Sequence, residues 1–458
     1  MQCTLTINKK SKQVDVLKMY MYKQSKVIET IDKNNRYFYL VFYHNQYING
    51  AKATKIKLGS HIHRALTHGI TTESNHPFVK EVLNRDTYPC IKFNQLYTKL
   101  QQHYPPKETA LILSFFDSFT SPDAIQKLLK KTFYSYRRNG KLRKAFQVLN
   151  ILNQMDPADT FALDMIGKME FQNERTIYQS LDSLEQRDPI HFESVCFNQL
   201  ENPEILTKLI GFYDNNNRAL DAAILRTFIL KKQFNQSAWD GLLAYLAKHD
   251  TETQIYSFLE LNQTSPHPTI KKELVSKLLG SSYHNEAVAF FIEHEYIPTT
   301  NETTQLIDHL NKVDSQKLIH YFHQSKKKIK QLHHLIPKKQ IEQIIVPFVK
   351  AFLSTYSLGE VQEWIVKTKI EDEQYLIEKN LNNIALLEND PDQQYKLGEL
   401  YLSLGQLDKA IECFKWEIEL DPNNLKSMKA VIDLLKQSGD FSEAKNYEDL
   451  LIQTQKYG

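Results

Sequence analysis

The spacing of hydrophobic positions changes along the 458-residue chain. Near the N-terminus, short β-branched and aromatic runs alternate with polar residues, a pattern typical of strands. The predicted strands lie at 3–7, 26–31, 36–43 and 55–58. The polar segment 32–35 predicts a hairpin connection, and the pair Asn49 and Gly50 predicts a second turn. The start of the chain is therefore predicted to be a small, mostly β module.

In the rest of the chain, apolar residues recur every three or four positions, which is the spacing of amphipathic helices. Pro105 and Pro106 break the chain, and a helix is predicted at 107–119. Ser121 and Pro122 have the residue types of an N-cap and a first helical position. Helices of about 12 to 16 residues then alternate with short polar breaks, as in arrays of helical hairpins.

The clearest hairpin lies between two prolines, Pro391 and Pro422. Its fixed positions are Leu397, Gly398, Tyr401, Gly405, Ala410, Phe414 and Pro422. Leu397 and Tyr401 stand one helical turn apart on one face. Gly398 is small where a second helix would cross, and Phe414 would fill the space between the helices. These positions predict a tightly crossed helix pair.

This frame resembles the tetratricopeptide repeat (TPR) family. A copy 34 residues later keeps Gly439 and Ala444 but carries Glu448 where Phe414 stands. An upstream copy has Phe133 where a small residue is expected. The positions that this upstream copy keeps are Leu129, Tyr136, Gly140, Ala145, Leu149 and Pro157. We therefore expect a mainly α fold, a TPR-like α-solenoid of helical hairpins preceded by a small basic module with strands.

The resemblance varies along the chain. It is specific at 122–157 and 391–457, and loose between them. The predicted regions are a basic N-terminal module at 1–106, a degenerate TPR-like array at 107–385, and C-terminal TPR units at 386–458.

The resemblance also implies a binding surface, because the first helices of such hairpins line a concave groove that holds a peptide, a partner helix or a folded domain. By analogy, the groove positions are Lys127, Lys130, Tyr134, Arg137 and Arg138 in the upstream unit, and Tyr395 and Glu399 in the C-terminal unit. The upstream set is basic and would suit an acidic segment. A solvated helix face is the alternative interpretation. The family's carboxylate-clamp pattern of Lys and Asn is not reproduced.

Charge is unevenly distributed. Residues 1–110 contain 17 Lys and Arg against 7 Asp and Glu, whereas the whole chain has a net charge of +3. The aromatic run at 36–43 could stack on bases, or it could form the core of a small sheet. A nucleic-acid-binding regulator that uses the N-terminal module is therefore the alternative function. Solubility, or docking of the basic module on the rest of the chain, would explain the same charge.

The most metal-like cluster is His61, His63 and His68, since His61 and His63 would point to one side of a strand. The nearest carboxylate is Glu73, so histidines of the surface or core are the favoured interpretation.

Other chemistry is not indicated. Walker-type GxxxxGK, GxGxxG, GxSxG and HExxH motifs are absent. Cys196 and Cys413 fall within helical patterns, where burial is usual. Trp239, Trp364 and Trp416 are predicted to be packing residues. The sequence thus predicts no enzyme activity, no cofactor and no metal.

These observations predict a non-enzymatic adaptor or regulator with a protein or peptide partner. There is no apolar run of about 18 residues, so we expect no membrane insertion. The N-terminus lacks a continuous apolar segment of a signal peptide, which favours a reducing, cytoplasmic setting. The oligomeric state is left open.

Overall fold

The protein is represented by a computed structural model. It describes residues 1–53, 55–294, 296–370, 374–388 and 390–457, apart from the side chains of Pro122 and Tyr457. The chain divides into two compact units, Met1–Lys271 and Lys272–Gly458. The first contains a sheet and many helices, and the described part of the second contains helices without strands. The predicted class, mainly α with an N-terminal α+β module, is confirmed. The predicted region boundaries follow repeat type and stay a prediction.

Within the described residues, seven strands form one sheet. They are β1 (Gln2–Ile7), β2 (Lys10–Tyr22), β3 (Ser25–Ile31), β4 (Tyr37–Tyr43), β5 (Gln46–Ala53), β6 (Ile70–Glu73) and β7 (Tyr88–Cys90). Their order is β5-β4-β3-β2-β1-β7, with β6 also paired to β2. The strands β1 to β5 pair antiparallel, and β7 runs parallel to β1. The long β2 holds the sheet together, because it pairs with β1, β3 and β6.

The predicted strands at 3–7, 26–31 and 36–43 are confirmed, and so is the hairpin connection at 32–35. The turn predicted at Asn49 and Gly50 is wrong, since both residues lie inside β5 and the turn precedes them at His44, whose φ is +53°. A Cβ on Gly50 would lie 2.7 Å from Cys90 Sγ. This glycine therefore serves close packing of β5 rather than chain reversal.

Two further predictions near the sheet are wrong. The segment 55–58 is irregular, and the backbone N–H of Lys57 donates to Ser118 Oγ at 2.9 Å instead of to a neighbouring strand. The helix predicted at 107–119 ends at Ser114, and turns follow it. The hydrogen bond thus connects the irregular segment 55–58 with the turns that follow the helix.

Helices make up most of both units. In the first unit they are α1 (His61–His68), α2 (Pro77–Val82), α3 (Phe93–His103), α4 (Pro106–Ser114), α5 (Pro122–Arg138), α6 (Leu142–Met155), α7 (Thr160–Ile166), α8 (Gln172–Ile177), α9 (Leu181–Arg187), α10 (Pro189–Phe197), α11 (Pro203–Asn215), α12 (Ala219–Lys232), α13 (Gln236–Leu246) and α14 (Thr251–Thr264). A 3₁₀ turn, Met169–Phe171, precedes α8. The helix α15 (Pro268–Leu279) contains the boundary between the units.

The helices of the second unit continue this numbering. They are α16 (His284–Glu293), α17 (Thr300–Leu310), α18 (Ser315–His320), α19 (Gln324–Leu332), α20 (Lys338–Phe352), α21 (Leu358–Thr368), α22 (Leu376–Leu387), α23 (Gln394–Ser403), α24 (Leu407–Leu420), α25 (Leu425–Ser438) and α26 (Phe441–Tyr457). A 3₁₀ turn, Pro391–Gln393, precedes α23.

Successive helices pack as hairpins, most closely in the pairs α5/α6, α23/α24 and α25/α26. Very short connections join these pairs, and they require a left-handed residue. Gly140 and Gly405 have φ values of +68° and +72°. A glycine adopts this conformation without the steric cost that a Cβ would add. Local sequence therefore determines where each of these hairpins turns.

Both units have buried apolar cores, and the core of the first also includes the sheet. The second has one continuous apolar cluster, in which Trp364 is fully buried and its Nε1–H donates to the carbonyl of Phe322 at 2.9 Å. In the first unit, residues 38–43 of β4 are all buried, so both faces of this strand are covered. Such double burial explains why β4 reads as a continuous apolar run.

Candidate protein-binding surfaces

The α23/α24 hairpin is crossed at Gly398. A Cβ there would lie 2.8 Å from Cε1 of Phe414, so the crossing needs glycine. Leu397, Tyr401 and Ala410 are buried around this point. Pro422, by contrast, is exposed in the turn that follows α24. The predicted frame thus comes together as one packed hairpin.

The next hairpin, α25/α26, turns at Gly439, which has a φ of +90°, and buries Ala444. Glu448, at the position that Phe414 holds one repeat earlier, pairs with Lys436 at 2.6 Å. Glu448 is 41% exposed, so it forms a surface ion pair and does not fill the space between the helices as the buried Phe414 does.

In the upstream hairpin, α5/α6, a large residue occupies the position where the helices cross. The large Phe133 is fully buried and lies 5.5 Å from the ring of Phe161 and 6.3 Å from the ring of Phe171. The small residue of the repeat frame is replaced here by an aromatic that the following helices cover. Leu129, Ala145 and Leu149 are buried in the same hairpin.

The basic face predicted on α5 is partly occupied by the chain itself. Lys130 pairs with Asp159 at 3.0 Å, and Arg137 pairs with Glu170 at 2.9 Å. Tyr134 is 40% exposed, and its ring centroid lies 5.7 Å from that of Phe161. The exposed cations of this face are Lys127 and Arg138. Two of the four cations therefore already have carboxylate partners.

On α23, the predicted positions Tyr395 and Glu399 lie one turn apart. Burial and a hydrogen bond to Glu399 raise the pKa of Tyr395. The Tyr395 ring packs 5.4 Å from that of Phe414. Glu399 is exposed, so this face presents a carboxylate beside an aromatic edge.

An open groove runs between α22 and α23. Its cavity measures about 480 Å³. It is lined by Asn380, Asn383, Leu386 and Leu387 on α22, and by Lys396, Glu399, Leu400 and Ser403 on α23. Leu386 is 74% exposed. The groove thus combines amide, hydroxyl and charged groups with the solvent-exposed side chain of Leu386, whereas Leu387 and Leu400 are partly buried against the core.

Sequence reasoning placed Glu399 in a groove but missed the α22 wall. Asn380 and Asn383 stand three residues apart, which puts them on one helical face. Their amides can both donate and accept hydrogen bonds. Two Asn at this spacing on a predicted helix were the available signal. Only the packing of α22 beside α23 shows that they line the same groove as Lys396.

A buried ionic network joins the sheet to the helices of the first unit. Lys26 of β3 pairs with Asp221 of α12, and both side chains are almost fully buried. Arg218 donates to Asp221 at 2.6 Å and to Glu193 at 2.8 Å, and Tyr213 donates to Glu193 at 2.8 Å. Burial would raise the pKa of Asp221, but the two cations outweigh it and hold that pKa at about 2.

Part of the positive charge of the N-terminal module is paired with carboxylates of the same chain. Lys26 serves docking of the sheet, and Lys12 and Arg36 both pair with Asp32. The aromatic run forms part of the core of the sheet, which is one of the two uses that the sequence left open. Tyr37 is its exposed member, at 42%. The alternative of stacking on bases therefore loses most of its aromatic surface.

The histidine cluster lies on a helix, so the predicted strand geometry is wrong. Ser60 caps α1 by accepting from the backbone N–H of His63 at 3.3 Å. The His61 ring lies 2.7 Å from Ser25 Oγ and stacks on Phe115. Across the described residues, no group of three His, Cys, Asp or Glu side chains is arranged as metal ligands.

The predicted burial of Cys196 and Cys413 is confirmed, and burial raises the pKa of each thiol, to about 12 and about 11. Trp239 and Trp364 are buried as predicted, but Trp416 is 53% exposed. It follows Phe414 by two residues, and a helix turns about 200° over two residues. The burial of Phe414 therefore places Trp416 on the outer face.

Comparison with known families supports the repeat. The family model described as Tetratricopeptide repeat matches residues 394–424. This segment is a tetratricopeptide repeat. It contains α23 and α24 with the crossing described above, so the resemblance predicted for this part of the chain is confirmed.

No curated protein matches the chain in a sequence search. A comparison with solved structures finds a chain of the structure of Naa15/Naa10 bound to HypK-THB, at 13% identity and a TM-score of 0.19. The match covers 80% of this chain and 61% of that chain. This TM-score is too low to support a fold assignment. The helical-repeat fold is therefore assigned from the packed hairpins described above.

None of the helices in the described ranges combines the length and apolar character of a membrane-spanning segment.

Proposed function

We propose that this protein is a non-enzymatic adaptor whose α22/α23 groove binds an extended peptide segment of a partner protein. The observation that carries the proposal is the groove itself, with Asn380 and Asn383 on one wall and Lys396 and Glu399 on the other. Amide side chains can bond both the N–H and the C=O of a peptide backbone. The exposed Leu386 offers an apolar contact for a partner side chain.

The chemistry of the groove favours a partner of mixed character over a strictly acidic one. Lys396 and Glu399 have opposite charges and line the same cavity. On α5, where the sequence predicts a basic surface, two cations are already paired within the chain. All four cysteines are free thiols, which supports a reducing compartment such as the cytoplasm.

The test is selection of short unstructured peptides from a phage-displayed library on the full-length chain. Enriched peptides are then titrated against the wild type and the double variant Asn380→Ala/Asn383→Ala. We expect the double variant to bind at least about tenfold more weakly, because each lost hydrogen bond contributes about 1 kcal/mol.

The matched control is Asn382→Ala on the same helix. Asn382 is exposed and accepts a hydrogen bond from Gln362 Nε2 at 3.0 Å, outside the groove lining. This variant should bind like the wild type. Equal peptide affinity for the double variant and the control would contradict a binding role for the groove.

A further inference from the structure

The tip of the β2–β3 hairpin is inserted among the helices of the first unit. The side-chain amide of Gln24 donates to the carbonyl of Ile190 at 2.7 Å and to Ser194 Oγ at 3.1 Å, both on α10. Lys23, beside it, has a φ of +51°, a conformation that favours glycine. The turn is thus held in place by its contacts with α10, and the side chain of Lys23 is fixed with it.

Lys23 is a largely buried cation, and no carboxylate among the described residues pairs with it. Its exposure is 8%, and within the described residues no oxygen accepts a hydrogen bond from its Nζ. Its ammonium lies over the ring of Tyr22, with Nζ 5.2 Å from the ring centroid. Lys26, three residues later, is buried more completely, at 1% exposure, and pairs with Asp221. Burying most of an ammonium group without such a partner costs solvation free energy. A bound anion at this site would therefore be stabilising.

Arg64 places a second positively charged donor at the same site. Its Nη1 and Nη2 donate to the carbonyls of Gln154 and Met155 at 2.7 and 3.2 Å, at the C-terminus of α6. Its Nε is buried and lacks a hydrogen-bond partner among the described residues. Lys23, Arg64 and His61 line one cavity of about 30 Å³. This volume suits a single group of water or halide size.

The charge around the cavity is predominantly positive. Its lining carboxylate, Asp117, accepts from the backbone N–H of His61 at 3.0 and 3.1 Å. Burial lowers the pKa of His61 well below its usual value, and the positive charges of Arg64 and Lys23 lower it further. The pKa of Lys23 falls to about 8 through burial and repulsion by Arg64. One bound anion would offset the cost of confining these cations together.

We propose that the cavity between Lys23, Arg64 and His61 binds one small monovalent anion of halide size. The anion receives hydrogen bonds from Lys23 Nζ and Arg64 Nε. It thereby connects the β2–β3 hairpin with α1, which carries Arg64, and through Arg64 with the end of α6. The stability of the first unit should therefore depend on chloride, independently of any peptide bound elsewhere.

The first test compares thermal unfolding of the full chain in sodium chloride and in sodium gluconate at matched ionic strength. Chloride should raise the Tm of the wild type progressively with concentration, as expected for a ligand of the folded state, whereas the bulkier gluconate should not. In Lys23→Met, the Tm should be above that of the wild type in gluconate, because a buried unpaired charge is removed. Because chloride should raise the Tm of the wild type only, the Tm advantage of Lys23→Met should shrink or change sign as chloride is added.

The control is Lys127→Met, which removes an exposed lysine and should keep the full chloride response. The second test is a crystal soaked in sodium bromide. An anomalous bromide peak within hydrogen-bond distance of Lys23 Nζ and Arg64 Nε would support the site. A water peak in its place at molar bromide would overturn the proposal, as would a chloride response that Lys23→Met retains in full.

Discussion

Both units of this protein have buried apolar cores, but the first adds a buried ionic network. The first, Met1–Lys271, joins its sheet to its helices through buried charges at Lys26, Arg218 and Asp221. The second, Lys272–Gly458, is stabilised by one apolar cluster that passes from hairpin to hairpin. The difference shows that an apolar core can be supplemented by buried ion pairs in one unit and not to the same degree in the other, so the two units should respond differently to removal of a buried charge.

The same difference applies to their surfaces. The α5 face in the first unit is partly closed by Asp159 and Glu170 of the same chain. In the second unit, the groove beside α23 is open and lined by amides and leucines. A shared repeat frame therefore builds a hairpin without deciding whether its outer face is available to a partner.

The largest expected effect comes from breaking the buried network. Asp221→Asn leaves Lys26 buried without its counter-charge and should lower the free energy of unfolding of the first unit by about 3–5 kcal/mol. Urea denaturation followed by hydrogen exchange would locate the loss in that unit. Asp182→Asn is the control, because Asp182 is 80% exposed in its pair with Lys208 and should cost less than about 1 kcal/mol. Equal losses would refute the comparison.

Acid should destabilise the first unit by protonating the carboxylate of Asp221. The folded-state pKa of Asp221 is about 2, below its ordinary value, so its stabilisation is present above that ordinary value and is lost as pH falls toward 2. This carboxylate should contribute about 2 kcal/mol to the acid loss of stability. The check is the urea midpoint of the wild type and Asp221→Asn from pH 6 to pH 2. The two curves should converge on acidification, and parallel curves would contradict the assignment.

Overpacking tests the second unit. Gly398→Val places a branched side chain against Phe414 and should destabilise that unit by about 1–3 kcal/mol. Gly359→Ala in α21 is the matched control, because a Cβ there has no neighbour within 4 Å. It should stabilise slightly, by about 0.5–1 kcal/mol. Urea denaturation of both variants measures the two changes in the free energy of unfolding. An unchanged free energy of unfolding in Gly398→Val would show that the helices cross less tightly than described.

The smallest effect is expected on the α5 face. Arg137→Gln removes one partly exposed ion pair with Glu170 and should change the free energy of unfolding by about 0–1 kcal/mol. The swapped pair Arg137→Glu/Glu170→Arg should recover whatever is lost, as a double-mutant cycle would measure. A loss well above 1 kcal/mol would mean that this pair resembles the buried network more than a surface contact.

Several features could be read from the sequence because they depend on neighbouring residues. The hairpin at Gly405 was predictable, since a left-handed turn residue, a small crossing residue at Gly398 and Phe414 are all close in sequence. The strand at 36–43 was predictable because burial on both faces makes it continuously apolar. By contrast, Gly50 resembled a turn residue, and only the approach of Cys90 explains it.

The sequence by itself determined the α-helical class, the strand-rich start and the position of the C-terminal repeat, because periodicity and turn chemistry are local properties. Only the tertiary structure decided which charges meet. Lys26 and Asp221 are 195 residues apart and become a buried pair. Asn383 and Lys396 line one groove, and Lys23 contacts the ring of Tyr22 with no carboxylate partner among the described residues. Whether a side chain is exposed, paired or confined depends on which distant segment packs over it, and hydrophobic periodicity does not encode that choice.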